Sequence, residues 1–285
     1  MELARTSDGP EAIEALRWSL RGVLRAAWPL RARLATNMKC AGVYREELID
    51  AHFERVLDQM GMLAHVFRAG FDDSGCREKF RFDDSLSVLR QAYSAGKGVL
   101  NIAPHLCGYP VYAPIVTPHI PCSIYLRRNK DPRKMRINEA IGLAGDGHLV
   151  YPPAGASRAQ RLQLAIDVLR QGRMLFITPD TPRKPDQGVA VTIMGKTVHF
   201  PTGVFVMSMR TGAPVVPIVW HRQAGVYHIR YGEPIELARG GDVKHKTAAA
   251  MRRWAQSVDD FLHEHPAMWW NWLDKRWTRI LRGRQ

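Results

Sequence analysis

Short apolar runs alternate with helical segments through most of this 285-residue chain, and that alternation leaves few folds open. Residues 99–102, 123–126, 148–151, 174–178, 215–220 and 227–231 read as strands. Residues 85–95, 133–143, 159–171, 204–210 and 246–264 read as helices, with Gly172 as a stop after 159–171. Apolar strands separated by helices belong in a sheet covered on both faces. The expected class is therefore α/β, a mixed, mostly parallel sheet flanked by helices. Residues 190–194 and 197–200 flank Gly195-Lys196 as the arms of a hairpin do. Helical patterns over 11–35 and 44–68 come before the first strand. No repeat, low-complexity tract or linker divides the chain, so one domain over 1–285 is expected, with 1–45 as a basic, amphipathic helical extension.

The run Gly98-Val-Leu-Asn-Ile-Ala-Pro-His105-Leu-Cys-Gly-Tyr-Pro110 ends on a Pro-His pair. A buried strand of this kind delivers one histidine to the mouth of a site. Its ordinary pKa of about 6.5 suits it to take a proton near neutral pH. From Ser85 to Lys130 there is no Asp or Glu, so the surrounding sequence offers no acid to orient the ring. Cys107 reads as a small buried residue beside a tight turn, or alternatively as a thiol activated by His105.

Lys and Arg total 41 against 27 acids, a net charge of +14. That charge favours an anionic partner: nucleic acid, phospholipid headgroups or an acidic carrier protein. No helix-turn-helix, RNP or zinc pattern is present, so nucleic acid is not expected. From Arg17 to Arg45 inclusive there are seven basic residues and no acid, with Arg17, Arg21 and Arg25 at spacing four. A basic helix of this kind suits an anionic membrane surface, and equally the outer face of its own domain. Trp269, Trp270, Trp272 and Trp277 stand among Lys275, Arg276, Arg279, Arg282 and Arg284, a mixture found at bilayer interfaces and in docked terminal helices. The cysteines Cys40, Cys76, Cys107 and Cys122 lack CxxC spacing and the histidines lack HExxH spacing. A reducing compartment and no metal site are expected. No stretch reaches the ~18 apolar residues needed to span a bilayer, and no signal peptide is evident. The expected location is cytoplasmic, peripheral on the inner face of the cell membrane.

After the strand-end His105 come Tyr125-Leu-Arg127-Arg128-Asn-Lys-Asp-Pro132, then Leu169-Arg-Gln-Gly172 and Met174-Leu-Phe-Ile-Thr-Pro-Asp180. The glycine hairpin, His199-Phe-Pro-Thr-Gly203 and Thr211-Gly-Ala-Pro-Val-Val-Pro217 follow, and His265-Pro-Ala-Met-Trp-Trp-Asn-Trp272 with Lys275-Arg-Trp277 closes the series. This order, over about residues 30–280, resembles the lipid A biosynthesis acyltransferases, the lauroyl/myristoyl branch of the lysophospholipid acyltransferase superfamily. The resemblance implies transfer of a fatty acyl group from an acyl carrier protein or coenzyme A thioester to a hydroxyl on a lipid acceptor. It implies His105 as the catalytic base and no prosthetic group or metal. It also implies an acid five residues after the histidine, where this chain has Pro110.

Loss of an orienting acid can cost ~10⁴ in rate, so position 110 opens three readings. A distant acid (Asp180 or Asp186) or a backbone carbonyl orients His105. Alternatively the acceptor is a stronger nucleophile, such as an amine, or a natural-product small molecule. Or the site has lost acyl transfer, and the chain binds acyl and lipid ligands or serves another chemistry. Further substrate-binding candidates are Arg127 and Arg128, whose guanidinium forks suit phosphate or carboxylate. Asp180 and Arg183 stand where ligands collect, at a strand's carboxyl end, and equally in a Pro-rich turn. Thr202 and Gly203 open a helix whose free N–H groups suit an anion or a plain cap.

Overall fold

In a computed structural model, residues 28–69, 77–126, 148–238 and 240–283 are described, with a few positions between 131 and 139. The protein is α/β, as expected. In chain order the elements are α1 (Trp28–Cys40), α2 (Glu46–Ala69), β1 (Phe80–Phe82), α3 (Leu86–Ser94), β2 (Val99–Ile102), α4 (Tyr109–Val116), β3 (Cys122–Tyr125) and β4 (His148–Val150). They continue with α5 (Arg158–Arg170), β5 (Met174–Ile177), β6 (Val189–Ile193), β7 (Lys196–Phe200), α6 (Gly203–Thr211), β8 (Val215–Gln223), β9 (Val226–Tyr231), α7 (Val243–Glu264) and α8 (Lys275–Leu281). Of the expected helix over 11–35, positions up to 27 lie outside the described residues, and so does most of 133–143.

Seven strands form one sheet in the order β1-β9-β8-β2-β5-β3-β4. Among the described residues β8 and β9 pair antiparallel and the other pairings in this sheet are parallel. β6 and β7 form the separate hairpin. β2 and β5 are at the centre, and their side chains explain why: all of Val99–Ile102 is buried, as are Met174, Leu175 and Phe176. Helices lie against this sheet, α4 on β3, α5 on β5, α6 on β8 and α3 on β9. A capping box joins Ser157 and Gln160 at the start of α5, so the helix begins where the loop from β4 delivers it.

Two glycines fix the approach to the central strand. Gly98 has φ +66°, and a Cβ there would lie 2.7 Å from the carbonyl oxygens of Leu169 and Arg173, so the chain enters β2 tight against the turn between α5 and β5. Gly108, with φ 92°, turns the chain from the His105 loop into α4 and donates its N–H to Gln59 Oε1 at 2.8 Å. Below that turn Tyr112 donates to Asn101 Oδ1 at 2.7 Å, while Asn101 donates to the Val216 carbonyl at 3.0 Å. The buried amide in β2 thus has both its functions satisfied.

The C-terminal segment packs back over the sheet's carboxyl edge. Pro266–Met268 lies on α2, and Trp270–Leu273 lies on α1. Trp269, Trp272 and Trp277 are fully buried, with Trp269 edge-on to the other two. The tryptophan-rich end is therefore core rather than an exposed interface belt.

Candidate active site

The two central strands bring His105 and Asp180 together. β2 and β5 are parallel and in register, with Ile102 opposite Ile177. His105 and Asp180 each stand three residues beyond those partners, at the carboxyl edge where ligands gather in open α/β sheets. His105 Nδ1 hydrogen-bonds Asp180 Oδ1, and the backbone N–H of His105 donates to Asp180 Oδ2 at 2.8 Å. Asn271 Nδ2 donates to the same Oδ2 at 2.8 Å, and Trp277 Nε1 donates to the Asp180 carbonyl at 3.2 Å. The carboxylate is 2% exposed and the imidazole 20%, so of the two only the ring reaches the surface.

The His105 loop is held from the other side as well. Its carbonyl accepts from Trp270 N–H at 2.9 Å, and Cys107 N–H donates to the Met268 carbonyl at 2.8 Å. Leu106 and Trp269 form a β-bridge between these bonds. The ring of Tyr109 stands edge-on to the imidazole, with centroids 5.1 Å apart. Burial lowers the His105 pKa, but the charge of Asp180 and its hydrogen bond outweigh that, and the net shift is upward. On the far side of the ring Thr178 Oγ1 lies 3.1 Å from Nε2.

A hydroxyl, an imidazole and a carboxylate therefore stand in line at the sheet edge. The description "bacterial lipid A biosynthesis acyltransferase" belongs to the family whose model matches residues 39–279. The chain belongs to that family. No curated protein matches the sequence significantly. In the lipid A biosynthesis acyltransferase family the activity is acyl transfer to a lipid-like acceptor, and the α/β fold described above is consistent with it.

Within this member the expected site residues fall into three groups. His105 and Asp180 meet. Asp180, expected among the substrate-binding residues or as a distant acid for the ring, is buried with both its oxygens engaged, one of them on the His105 ring. Asp186, the other acid considered, is exposed in the turn Pro185–Gln187. Pro110 lies in the first turn of α4, where a missing N–H costs nothing.

Arg183 is exposed three residues past Asp180, and its N–H ties the loop to the His199 carbonyl at 2.9 Å. Thr202 and Gly203 open α6, but the Thr202 hydroxyl makes no capping bond; its carbonyl accepts from Phe205 and Val206 instead. The cap expected of the Thr202 side chain is thus absent, because its backbone is already close to helical at φ −92° and ψ 8°. Arg127 and Arg128 lie outside the described residues.

Cys107 is a buried thiol, its pKa pushed up to about 12 mainly by burial, with the Arg55 charge opposing. Burial thus favours the neutral thiol over a thiolate nucleophile. Sequence reasoning gave no role to Asn271 or Thr178. Thr178 was within reach: two residues before Asp180 on an extended chain, it faces the same side. Asn271, 91 positions from Asp180, carried no such signal.

Proposed function

We propose that this protein moves a fatty acyl group from an acyl carrier protein or coenzyme A thioester to a hydroxyl or amine of a lipid-like acceptor, with His105 as the general base. The observation that carries this reading is the partly exposed imidazole, held by Asp180 at Nδ1 and facing the Thr178 hydroxyl through Nε2. Asp180 fixes the tautomer that leaves a lone pair on Nε2 and stabilises the imidazolium that forms when the proton is taken. Asn271 and the His105 backbone N–H hold the carboxylate in turn. The thioester supplies the acyl group as a co-substrate, and no prosthetic group or metal enters the reading.

The orienting carboxylate favours transfer over simple retention of lipid, since a binding site has no use for an oriented base. Net charge +14 suits an acidic carrier protein and an anionic lipid surface. Among the described residues no helix is long and apolar enough to cross a membrane, which fits attachment at the surface. The test is turnover of acyl carrier thioester with candidate acceptors by wild type and His105→Ala. The variant is expected to lose ~10²–10⁴ in rate. Equal turnover by both removes His105 from the mechanism and overturns the reading.

A further inference from the structure

Nε2 of His105 already has a partner. Nδ1 faces a carboxylate, which only accepts, so the neutral ring keeps its proton on Nδ1 and a lone pair on Nε2. Thr178 Oγ1, 3.1 Å away, is then the donor to that lone pair. Other threonines in the fold make a different use of the hydroxyl. Thr117, Thr211 and Thr247 each donate to the carbonyl four residues back in their own helix. Thr178, half-buried on the extended chain leaving β5, gives its proton to the imidazole instead. Thr178 and Asp180 clasp one ring from its two nitrogens, and the hydroxyl end is the more exposed. This is the order of nucleophile, base and orienting acid found in the Ser-His-Asp triad.

The arrangement also obstructs a direct transfer. An incoming acceptor hydroxyl needs the Nε2 lone pair that Thr178 occupies. Acylating Thr178 removes its proton and frees that lone pair for the acceptor.

We propose that Thr178 is a covalent nucleophile and that transfer runs through an O-acyl-threonine. The proposal rests on the reading of His105 as base and names the step that base first serves. In the first half-reaction Thr178 Oγ1 attacks the thioester carbonyl carbon, and its proton passes to Nε2. The new C–O bond forms, the C–S bond breaks, and the departing thiolate takes that proton and leaves as the thiol. In the second half, the acceptor hydroxyl or amine gives a proton to Nε2 and attacks the threonine ester. Oγ1 leaves and takes the proton back. Nothing is oxidised or reduced, and one imidazole serves both halves.

The full chain is mixed with dodecanoyl-coenzyme A, and separately with dodecanoyl acyl carrier protein, with no acceptor added. The expected result is a burst of about one thiol per chain and a mass gain of one dodecanoyl group, as covalent catalysis requires. Peptide mass mapping is expected to place the group on Thr178 in the wild-type chain, so the result stands even if a variant misfolds. The gain is expected to vanish in Thr178→Val and His105→Ala, persist in Cys107→Ala, and return in Thr178→Ser. A chain that consumes thioester with neither burst nor adduct overturns the covalent step, and so does an adduct mapped to Cys107. In either case loss of turnover in His105→Ala leaves the base reading intact, whereas full turnover in that variant overturns both.

Discussion

At the scale of single residues the site is a contest over one proton. Burial disfavours the His105 imidazolium, and the Asp180 carboxylate favours it more strongly, leaving the pKa above 6.5. A raised base is stabilised by folding in its charged form. That contribution is complete below pH 6.5 and fades as pH climbs through the folded value. The proposed role of His105 as base needs the neutral ring, so the sign reverses for activity: kcat/KM is expected to rise with pH along a limb whose midpoint lies above 6.5. Asp180→Asn removes the charge, and the midpoint is expected to fall while the plateau drops by up to ~10⁴. Asn271→Ala removes a donor that shares the carboxylate's charge, and the midpoint is expected to move up. Rate profiles of the three proteins check this; midpoints moving the same way in both variants would count against the pairing. His105 was legible because a strand-end Pro-His is a local pattern. Asp180 was legible only as an acid at another strand's end, since sequence does not state which strands are neighbours. The β2–β5 register supplies that, and the Asn271 contact depends on how the C-terminal segment folds back, which no local pattern encodes.

At the scale of elements, strands and helices came out of apolar periodicity to within a few residues at most ends. Val99–Ile102 and the β6–β7 hairpin are examples. α4 did not, because Pro114 argues against a helix over Tyr109–Val116. Burial of Val111–Val116 against the sheet outweighs the weak local propensity. β1, three residues long, has too little sequence to show a period. Two elements hold the site from outside, and each yields a test. His52 on α2 lies 3.1 Å, through Nδ1, from the Ala267 carbonyl, in the segment that also receives Cys107 N–H through Met268. Its other nitrogen is buried without a partner, and burial above all lowers its pKa to about 4, despite the Ala267 bond. The unfolded chain takes this proton near pH 6.5, so stability present above 6.5 is lost as pH falls toward 4. The loss is on the order of 3 kcal/mol. Denaturant unfolding at both ends of that range is expected to show His52→Asn losing less stability than wild type by about that amount; equal losses would exclude His52 as the acid-sensitive contact. Asp274 caps α8, accepting from the Arg276 and Trp277 N–H groups at 2.8 and 3.2 Å. Asp274→Ala is expected to cost about 1 kcal/mol in unfolding experiments, because that cap seats Trp277, whose indole bonds the Asp180 carbonyl.

At the scale of the whole molecule the governing quantity is the net charge of +14, the one property read from composition without any fold. Under the proposed function a lipid acceptor and an acidic carrier would both approach through that field, and each basic residue near an anionic bilayer contributes about 1 kcal/mol of attraction. Trp28, 75% exposed at the start of α1, follows directly on the stretch that carries Arg17, Arg21 and Arg25. Tryptophan beside arginine is the composition that enters the headgroup layer. In the C-terminal segment Trp269, Trp272 and Trp277 supply no comparable contact, because they are buried, and Trp270 is partly buried. Membrane attachment is therefore expected to rest on the N-terminal segment and chemistry on the sheet edge, and the two should separate. Sedimentation with phosphatidylglycerol vesicles is expected to carry the protein down at low salt and to release it near ~1 M salt, where screening acts over about 3 Å. Phosphatidylcholine vesicles are expected to bind little. Replacing Arg17, Arg21 and Arg25 together by Glu is expected to abolish sedimentation while leaving thioester consumption in solution unchanged. Undiminished vesicle binding by that triple variant would move the membrane contact elsewhere on the surface.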